Sequence, residues 1–152
     1  MMRKISLDRI KRGALKSLVI SSLAEKPMYV YEIIKSIQSK TGGFYKPSPG
    51  SIYPVLRSLL NEGLIEAFEE NGKKMYKLTN KGIEEFNRLK REREDFFSPN
   101  SPIKREIIDT LFEIGYIIYI NREKVDNKKL QQISNILQNC KKDILELFEK
   151  SE

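Results

Sequence analysis

The dipeptide Asn71-Gly72 lies between two short runs of β-capable residues, 64–68 and 74–78. Tight hairpin turns need positive φ, which Asn and Gly tolerate, so Asn-Gly between such runs is a strong local hairpin signal. The second run alternates, with Met75 separated from the inward-facing Tyr76 and Leu78, and residues 69–73 form the connection. Every longer segment on either side has helical periodicity. The chain is therefore expected to fold as helices around a single two-stranded ribbon, a mainly α arrangement with an α+β N-terminal part.

Three helices are predicted before the ribbon. Over residues 6–25, Ile10, Ala14, Leu15, Leu18, Val19 and Leu23 recur at helical spacing. Ser6 or Asp8 caps this segment and Lys26-Pro27 ends it, because proline disfavours helical geometry at the residue before it. A second helix covers 30–41, with Ile33, Ile34 and Ile37 as its buried stripe and Gly42-Gly43 as its stop. The third opens at Ser48-Pro49-Gly50-Ser51. Ser48 suits an N-cap, and Pro49 suits the first helical position, where its missing N–H costs nothing. Ile52, Val55, Leu56, Leu59 and Leu60 supply its apolar side, and Pro54 falls early enough to be tolerated.

After the ribbon, Thr79 caps a charged helix reaching about residue 97, with Ile83, Phe86 and Leu89 on one face. The stretch 98–102, Ser-Pro-Asn-Ser-Pro, is the expected boundary between a domain at 1–97 and a C-terminal helical region at 98–152. In the latter, 103–120 is predicted helical. In 126–150, Leu130, Ile133, Leu137, Cys140, Ile144 and Leu147 alternate steps of three and four, a coiled-coil-like seam in which Cys140 is expected to be a buried small hydrophobe. The seam could pack within its own subunit or against a second copy, and the second is favoured. Tyr116 and Tyr119 are expected in a core, with an aromatic ligand pocket as the other possibility.

Charge divides the chain at the same boundary. Residues 1–97 carry 19 basic and 12 acidic side chains, and residues 98–152 carry nine of each, so the whole net charge of +7 belongs to the first part. A basic domain beside a neutral one suggests an anionic partner for the first and another task for the second. From position 33 to 61 no acidic residue occurs, while Lys35, Lys40, Lys46 and Arg57 do.

Helix–helix–turn–helix–hairpin is the order of a winged helix-turn-helix, whose third helix fits the major groove and whose wing follows the DNA backbone. Lys35, Lys46 and Arg57 are candidates for phosphate contact, as are Tyr31 and Tyr53, whose hydroxyls can donate to phosphate oxygens. Gly50 and Ser51 add little bulk at the open helix N-terminus, where unpaired N–H groups favour an anion. Lys73 and Lys74 are the wing candidates, although a solvated turn also needs polar residues and Glu69 and Glu70 stand just before them.

Five stretches stand out as motifs: Arg12-Gly13-Ala14-Leu15, Tyr29-Val30-Tyr31-Glu32-Ile33, Ser48-Pro49-Gly50-Ser51-Ile52-Tyr53-Pro54-Val55-Leu56, Leu60-Asn61-Glu62-Gly63-Leu64-Ile65 and Tyr76-Lys77-Leu78-Thr79-Asn80-Lys81-Gly82. On these residues the chain resembles the PadR family of transcriptional regulators, over about positions 12–90. The resemblance implies a homodimer on a pseudo-palindromic operator, usually acting as a repressor. It also implies that the helix from Pro49 reads the major groove, with Tyr31, Ser48, Gly50, Ser51 and Tyr53 near phosphates. Dimerisation through C-terminal helices is implied, sometimes with release from DNA by a small molecule. The family often has His-Gly-Tyr where this chain has Tyr29-Val30-Tyr31, so close backbone approach at Val30 is less free.

Two copies joined through the seam would present two recognition helices one DNA turn apart, ~34 Å. The alternative is a winged helix that serves as a protein-interaction module without touching DNA. Catalysis is not expected: the chain has no histidine and one cysteine, and no nucleophile–base pair or phosphate loop is visible. No metal or other cofactor is expected either. Met1-Met2-Arg3-Lys4 leads into mixed polar sequence without a secretory apolar core. The longest apolar run, 114–120, is far shorter than the ~20 residues of a membrane span. The expectation is a soluble cytoplasmic protein with no membrane partner.

Overall fold

The computed structural model describes residues 7–98 and 101–149, with side chains from residue 9 onward. In order, the elements are α1 (Leu7–Leu23), α2 (Val30–Lys40), α3 (Pro49–Asn61), β1 (Ile65–Glu70), β2 (Lys73–Leu78), α4 (Asn80–Phe97), α5 (Pro102–Ile120), a 3₁₀ turn η1 (Arg122–Lys124) and α6 (Asn127–Glu149). The chain divides into two compact units, Leu7–Glu94 and the region from Asp95 onward. Among the described residues no helix is long and apolar enough to cross a membrane.

The first unit is a winged helix. Val19, Ile20, Ile33, Ile37, Ile52, Val55, Leu56 and Leu59 are completely or almost completely buried where α1, α2 and α3 meet. Burial of aliphatic side chains of this size is worth ~1.5–3 kcal/mol each, which makes this cluster the main source of stability. Ser22 of α1 is the one buried polar residue among those described, and its hydroxyl accepts a hydrogen bond from the Ser36 hydroxyl of α2 at 2.9 Å. Ile10 and Ala14, expected on the buried stripe of α1, are exposed: the helix begins outside the core and enters it at Leu15. Ile83 of α4 is likewise half exposed, while Phe86 and Leu89 pack against the core edge.

The helix ends follow local chemistry. α1 begins at Leu7, so Asp8 lies inside it, and Ser6 is outside the described residues. Gly43 N–H reaches Gln38 O at 2.8 Å and Gly42 N–H reaches Ser39 O at 3.0 Å, closing α2 as its two glycines suggest. α3 closes in the same way, with Leu64 N–H on Leu59 O and Gly63 N–H on Leu60 O, both at 3.0 Å. Gly63 takes φ +70°, and the reversal carries Leu64 back into the core beside Leu59. Gly13, by contrast, lies within α1, where an added Cβ would meet nothing within 4 Å. Gly13→Ala is expected to stabilise the fold by ~0.5–1 kcal/mol through helix propensity. An unfolding midpoint in urea that falls would refute this.

The hairpin is tighter than the sequence suggests. β1 and β2 pair antiparallel through Glu69↔Lys74 and Glu70↔Lys73, leaving Asn71 and Gly72 as a two-residue turn with φ of 52° and 74°. Positive φ at both positions is the hairpin turn whose twist matches that of the strands. Residues 69, 70 and 73, expected in the connection, are thus in the ladder. Met28, just before α2, adds a single bridge to Tyr76, with Met28 N–H to Tyr76 O at 3.0 Å and Tyr76 N–H to Met28 O at 2.9 Å. This bridge ties the ribbon to the start of α2.

The second unit contains α5, η1 and α6. Both helices have the expected extents within one or two residues. No residue of either is buried.

Candidate nucleic-acid interface

α3 exposes the side opposite its core face. Its N-terminus is held by Ser48, whose hydroxyl oxygen accepts the Ser51 N–H at 3.2 Å and lies 3.0 Å from the Ser51 hydroxyl. Pro49 has no N–H, so within this first turn the Gly50 N–H is the donor left for an outside acceptor. Ser48, Pro49, Gly50, Ser51, Tyr53 and Arg57 are all exposed, Tyr53 to 46%. A Cβ at Gly50 would meet only the Ser48 hydroxyl, at 3.8 Å, so packing inside the chain does not require glycine there.

The basic residues of the acid-free stretch separate into two groups. Lys40 forms an ion pair with Glu25 and is spent on joining α2 to the end of α1. Lys35, Lys46 and Arg57 are exposed and have no carboxylate within ion-pair distance among the described residues. Cations without a nearby acid keep their full attraction for an anionic partner.

Packing brings Tyr31, Lys35 and Lys73 together through Tyr29, which the sequence places in the tyrosine cluster around this surface with Tyr31, Tyr45 and Tyr53 but does not single out for contact. The rings of Tyr29 and Tyr31 stack with centroids 6.3 Å apart and planes at 19°. The Lys35 ammonium lies over the Tyr31 ring at 4.9 Å, and the Lys73 ammonium, coming from the wing, lies over the Tyr29 ring at 4.6 Å. Such cation–π contacts are modest individually, but here they line up two cations and two rings between α2 and the wing. Tyr29 also starts α2, donating its N–H to the Glu32 carboxylate at 3.2 Å. Lys74 does not join this row. It alternates to the other face of the strand and lies 5.8 Å from the Tyr76 ring centroid. The two wing lysines therefore point to different sides of the ribbon.

At the back of α3, Lys16 of α1 donates to both oxygens of Glu62, at 2.7 and 2.6 Å, and Ser58 donates to the same carboxylate at 2.9 Å. The Lys16 hydrogen bond holds the Glu62 carboxyl below its ordinary value of 4.5, against the smaller opposing effect of desolvation. This acid is neutralised within the chain and subtracts little from the positive face. Arg9, Lys11 and Arg12 in the first turns of α1 are exposed and lie next to α3, although the acid-free stretch does not include them. Their signal in the sequence is a dense basic run near its start.

Residues 19–88 match the family described as "Transcriptional regulator PadR-like family". The segment 19–88 is a PadR-like domain. Over 73 residues the chain is 41% identical to the Transcriptional regulator YqjI of Escherichia coli (strain K12), an alignment covering 47% of this chain and 35% of that protein. The chain thus spans about a third of the length of that curated relative. A protein of Lysinibacillus sphaericus is 29% identical over 109 residues, covering 68% of this chain and 93% of the relative. The structure of a transcriptional regulator from Clostridium thermocellum superposes with a TM-score of 0.52 at 28% identity, covering 70% of this chain and 96% of that one. The PadR-like match begins within α1 and ends within α4, so it contains α2, α3 and the wing and leaves out Arg9, Lys11 and Arg12.

The second unit carries the apolar residues expected to join subunits. Leu130, Leu137, Ile144 and Leu147 of the seam are exposed, to between 41% and 66%, and Ile133 is half-buried. Cys140, expected to be buried, is exposed, as no residue of α6 is buried within the single chain. Ile114, Ile117 and Ile118 of α5 and Ile133, Ile136 and Leu137 of α6 line an open cleft of about 540 Å³. Tyr116 and Tyr119 lie neither in a core nor in this cleft. They are exposed on α5, stacked with Phe112 in a row of rings 6.2 and 6.3 Å apart.

Proposed function

We propose that this PadR-like regulator binds duplex DNA as a homodimer. In this reading residues 1–97 read a pseudo-palindromic operator and residues 98–152 join the subunits, with repression as the outcome. The observation that carries it is the exposed surface of α2, α3 and the loop between them, where Lys35, Lys46 and Arg57 have no carboxylate at ion-pair distance among the described residues and stand with the exposed Tyr31 and Tyr53. Such a face suits a backbone of one negative charge per phosphate. α3 is the element that enters the major groove, and the Gly50 N–H and the Ser51 and Tyr53 side chains take the phosphate at its entrance.

Dimerisation is supported by the amount of apolar surface that the second unit leaves in water. Contiguous apolar patches of this kind mark interaction sites. A single winged helix also reads few base pairs, and pairing two supplies the specificity an operator needs. The cleft between α5 and α6 has a volume in the range of small-molecule sites, and an effector there would be apolar in its main part.

The test is selection of fragments of the source genome by the purified chain, followed by mobility shifts on the selected duplexes. Recovery of a shared inverted repeat with half-sites about one turn apart is the expected result. No retention of any fragment would favour a protein-interaction module instead. For the wing, the double change Lys73→Ala and Lys74→Ala is expected to weaken binding and to reduce the salt slope by about 0.9 for each phosphate no longer neutralised. Because the two lysines face different sides, one phosphate rather than two is expected to be given up. An unaltered slope would remove the wing from the interface.

A further inference from the structure

The two grooves beside α3 share a wall made by the start of α1. One, of about 250 Å³, is lined by Lys11, Arg12, Tyr45, Ser51 and Pro54, among others. The second, of about 180 Å³, is lined by Arg9, Arg12, Lys16 and Ser58. Arg12 borders both. At 100° per residue, Ser51, Pro54 and Ser58 form one edge of the exposed arc of α3, and Tyr53 and Arg57 form another. The α1 cations therefore flank the reading helix along the edge away from Tyr53 and Arg57.

None of Arg9, Lys11 and Arg12 has an ion-pair partner among the residues whose side chains the structure describes, whereas Lys16, one turn further on, is held by Glu62. Arg9, in the first turn of α1, also faces the positive end of the helix dipole. Among the described side chains no acid offsets the charge of these cations. An anion in the grooves would supply Lys11 and Arg12 with a partner, and the Ser51 and Tyr45 hydroxyls stand there as additional donors.

We propose that Lys11 and Arg12 of α1 form a second phosphate-binding site, which grips the DNA backbone along the Ser51–Pro54–Ser58 edge of α3. This rests on the DNA-binding reading above and extends it to residues of α1 that precede the matched segment 19–88. DNA is then held on two sides of the reading helix, by α1 on one and by α2 with the wing on the other. The contact is to backbone phosphate, so it adds affinity and orientation without sequence preference.

The experiment compares the full chain with a Lys11→Ala, Arg12→Ala variant on the duplexes selected by the wild type and on one scrambled duplex, across a range of salt concentrations. The expected result is a decrease of at least tenfold in affinity on both duplexes, with the salt slope smaller by about 1.8, as for two phosphates no longer neutralised. Helix content and the urea midpoint are expected to be unchanged, since both side chains are exposed. A variant that binds with the wild-type affinity and slope overturns this site while leaving the DNA-binding reading intact. A decrease confined to the selected duplex would also overturn it, because that is the signature of base readout. If the wild-type chain itself retains no duplex at any salt concentration, the DNA-binding reading fails and this site fails with it.

Discussion

Gly82→Ala is expected to cost about 3 kcal/mol or more and to leave the winged helix largely unfolded at moderate denaturant. A Cβ at position 82 would stand 1.9 Å from the Leu64 carbonyl oxygen, 3.0 Å from its carbon and 3.2 Å from Leu78 Cδ2. The nearest obstacle is backbone, which cannot rotate away as a side chain can. That carbonyl also accepts the Thr79 N–H at 3.1 Å. The Thr79 hydroxyl donates to Gly63 O at 2.6 Å and accepts the Gly82 N–H at 3.1 Å. Moving α4 away to make room would break the junction between the end of α3, the end of β2 and the start of α4 at once. A domain's whole stability is ~5–15 kcal/mol, so a change of this size is readily measured. Urea unfolding followed by circular dichroism reads it directly, with Gly13→Ala as a control moving the midpoint the opposite way. A midpoint for Gly82→Ala equal to the wild type would mean that α4 does not approach Leu64 so closely.

The second large effect is expected at Leu137. Leu137→Glu places a carboxylate in the middle of the α6 seam and on the wall of the α5–α6 cleft. Burying an unpaired charge in an apolar interface costs several kcal/mol. The dissociation constant of the proposed dimer is expected to rise by on the order of a thousandfold or more. Sedimentation equilibrium at micromolar concentration then reports a monomer of 17.8 kDa in place of a dimer. Asn135→Glu, on the opposite side of the same helix, is expected to leave the dimer intact. The monomeric variant should keep its helical spectrum, because Leu137 is exposed in the single chain. A dimer that persists in Leu137→Glu would move the interface elsewhere, with the exposed Phe112–Tyr116–Tyr119 row of α5 as the next surface to test.

Much of the winged helix was legible in the sequence because its boundaries are set by local chemistry. Ser48-Pro49 starts α3, Gly63 reverses the chain after it, and Asn71-Gly72 turns the ribbon, each through backbone preferences acting within a few residues. The apolar stripes of α2 and α3 were also legible, since Ile33, Ile34, Ile37, Ile52, Val55, Leu56 and Leu59 recur at helical spacing and are buried together. The stripes of α1 and α4 were legible only in part. Ile10 and Ile83 keep the period but extend past the neighbours that would cover them. Periodicity reports which side of a helix is apolar, and it does not report where the packing partner ends.

The dipeptide Asn71-Gly72 by itself marked the turn between two antiparallel strands, because Asn tolerates positive φ and Gly, lacking a side chain, adopts it freely. Only the tertiary structure decided where the wing's lysines go. Lys73 lies over Tyr29, far earlier in the chain, while Lys74 turns to the opposite side of the ribbon. The same holds for Gly82, whose lack of a side chain has meaning only because Leu64 passes beneath it, and for Lys11 and Arg12, which become neighbours of α3 only when α1 packs against it. Turns and caps are short-range and can be read from the residues that make them. The faces of a site are assembled from contacts between distant segments, and those exist only once the core of α1, α2 and α3 has closed.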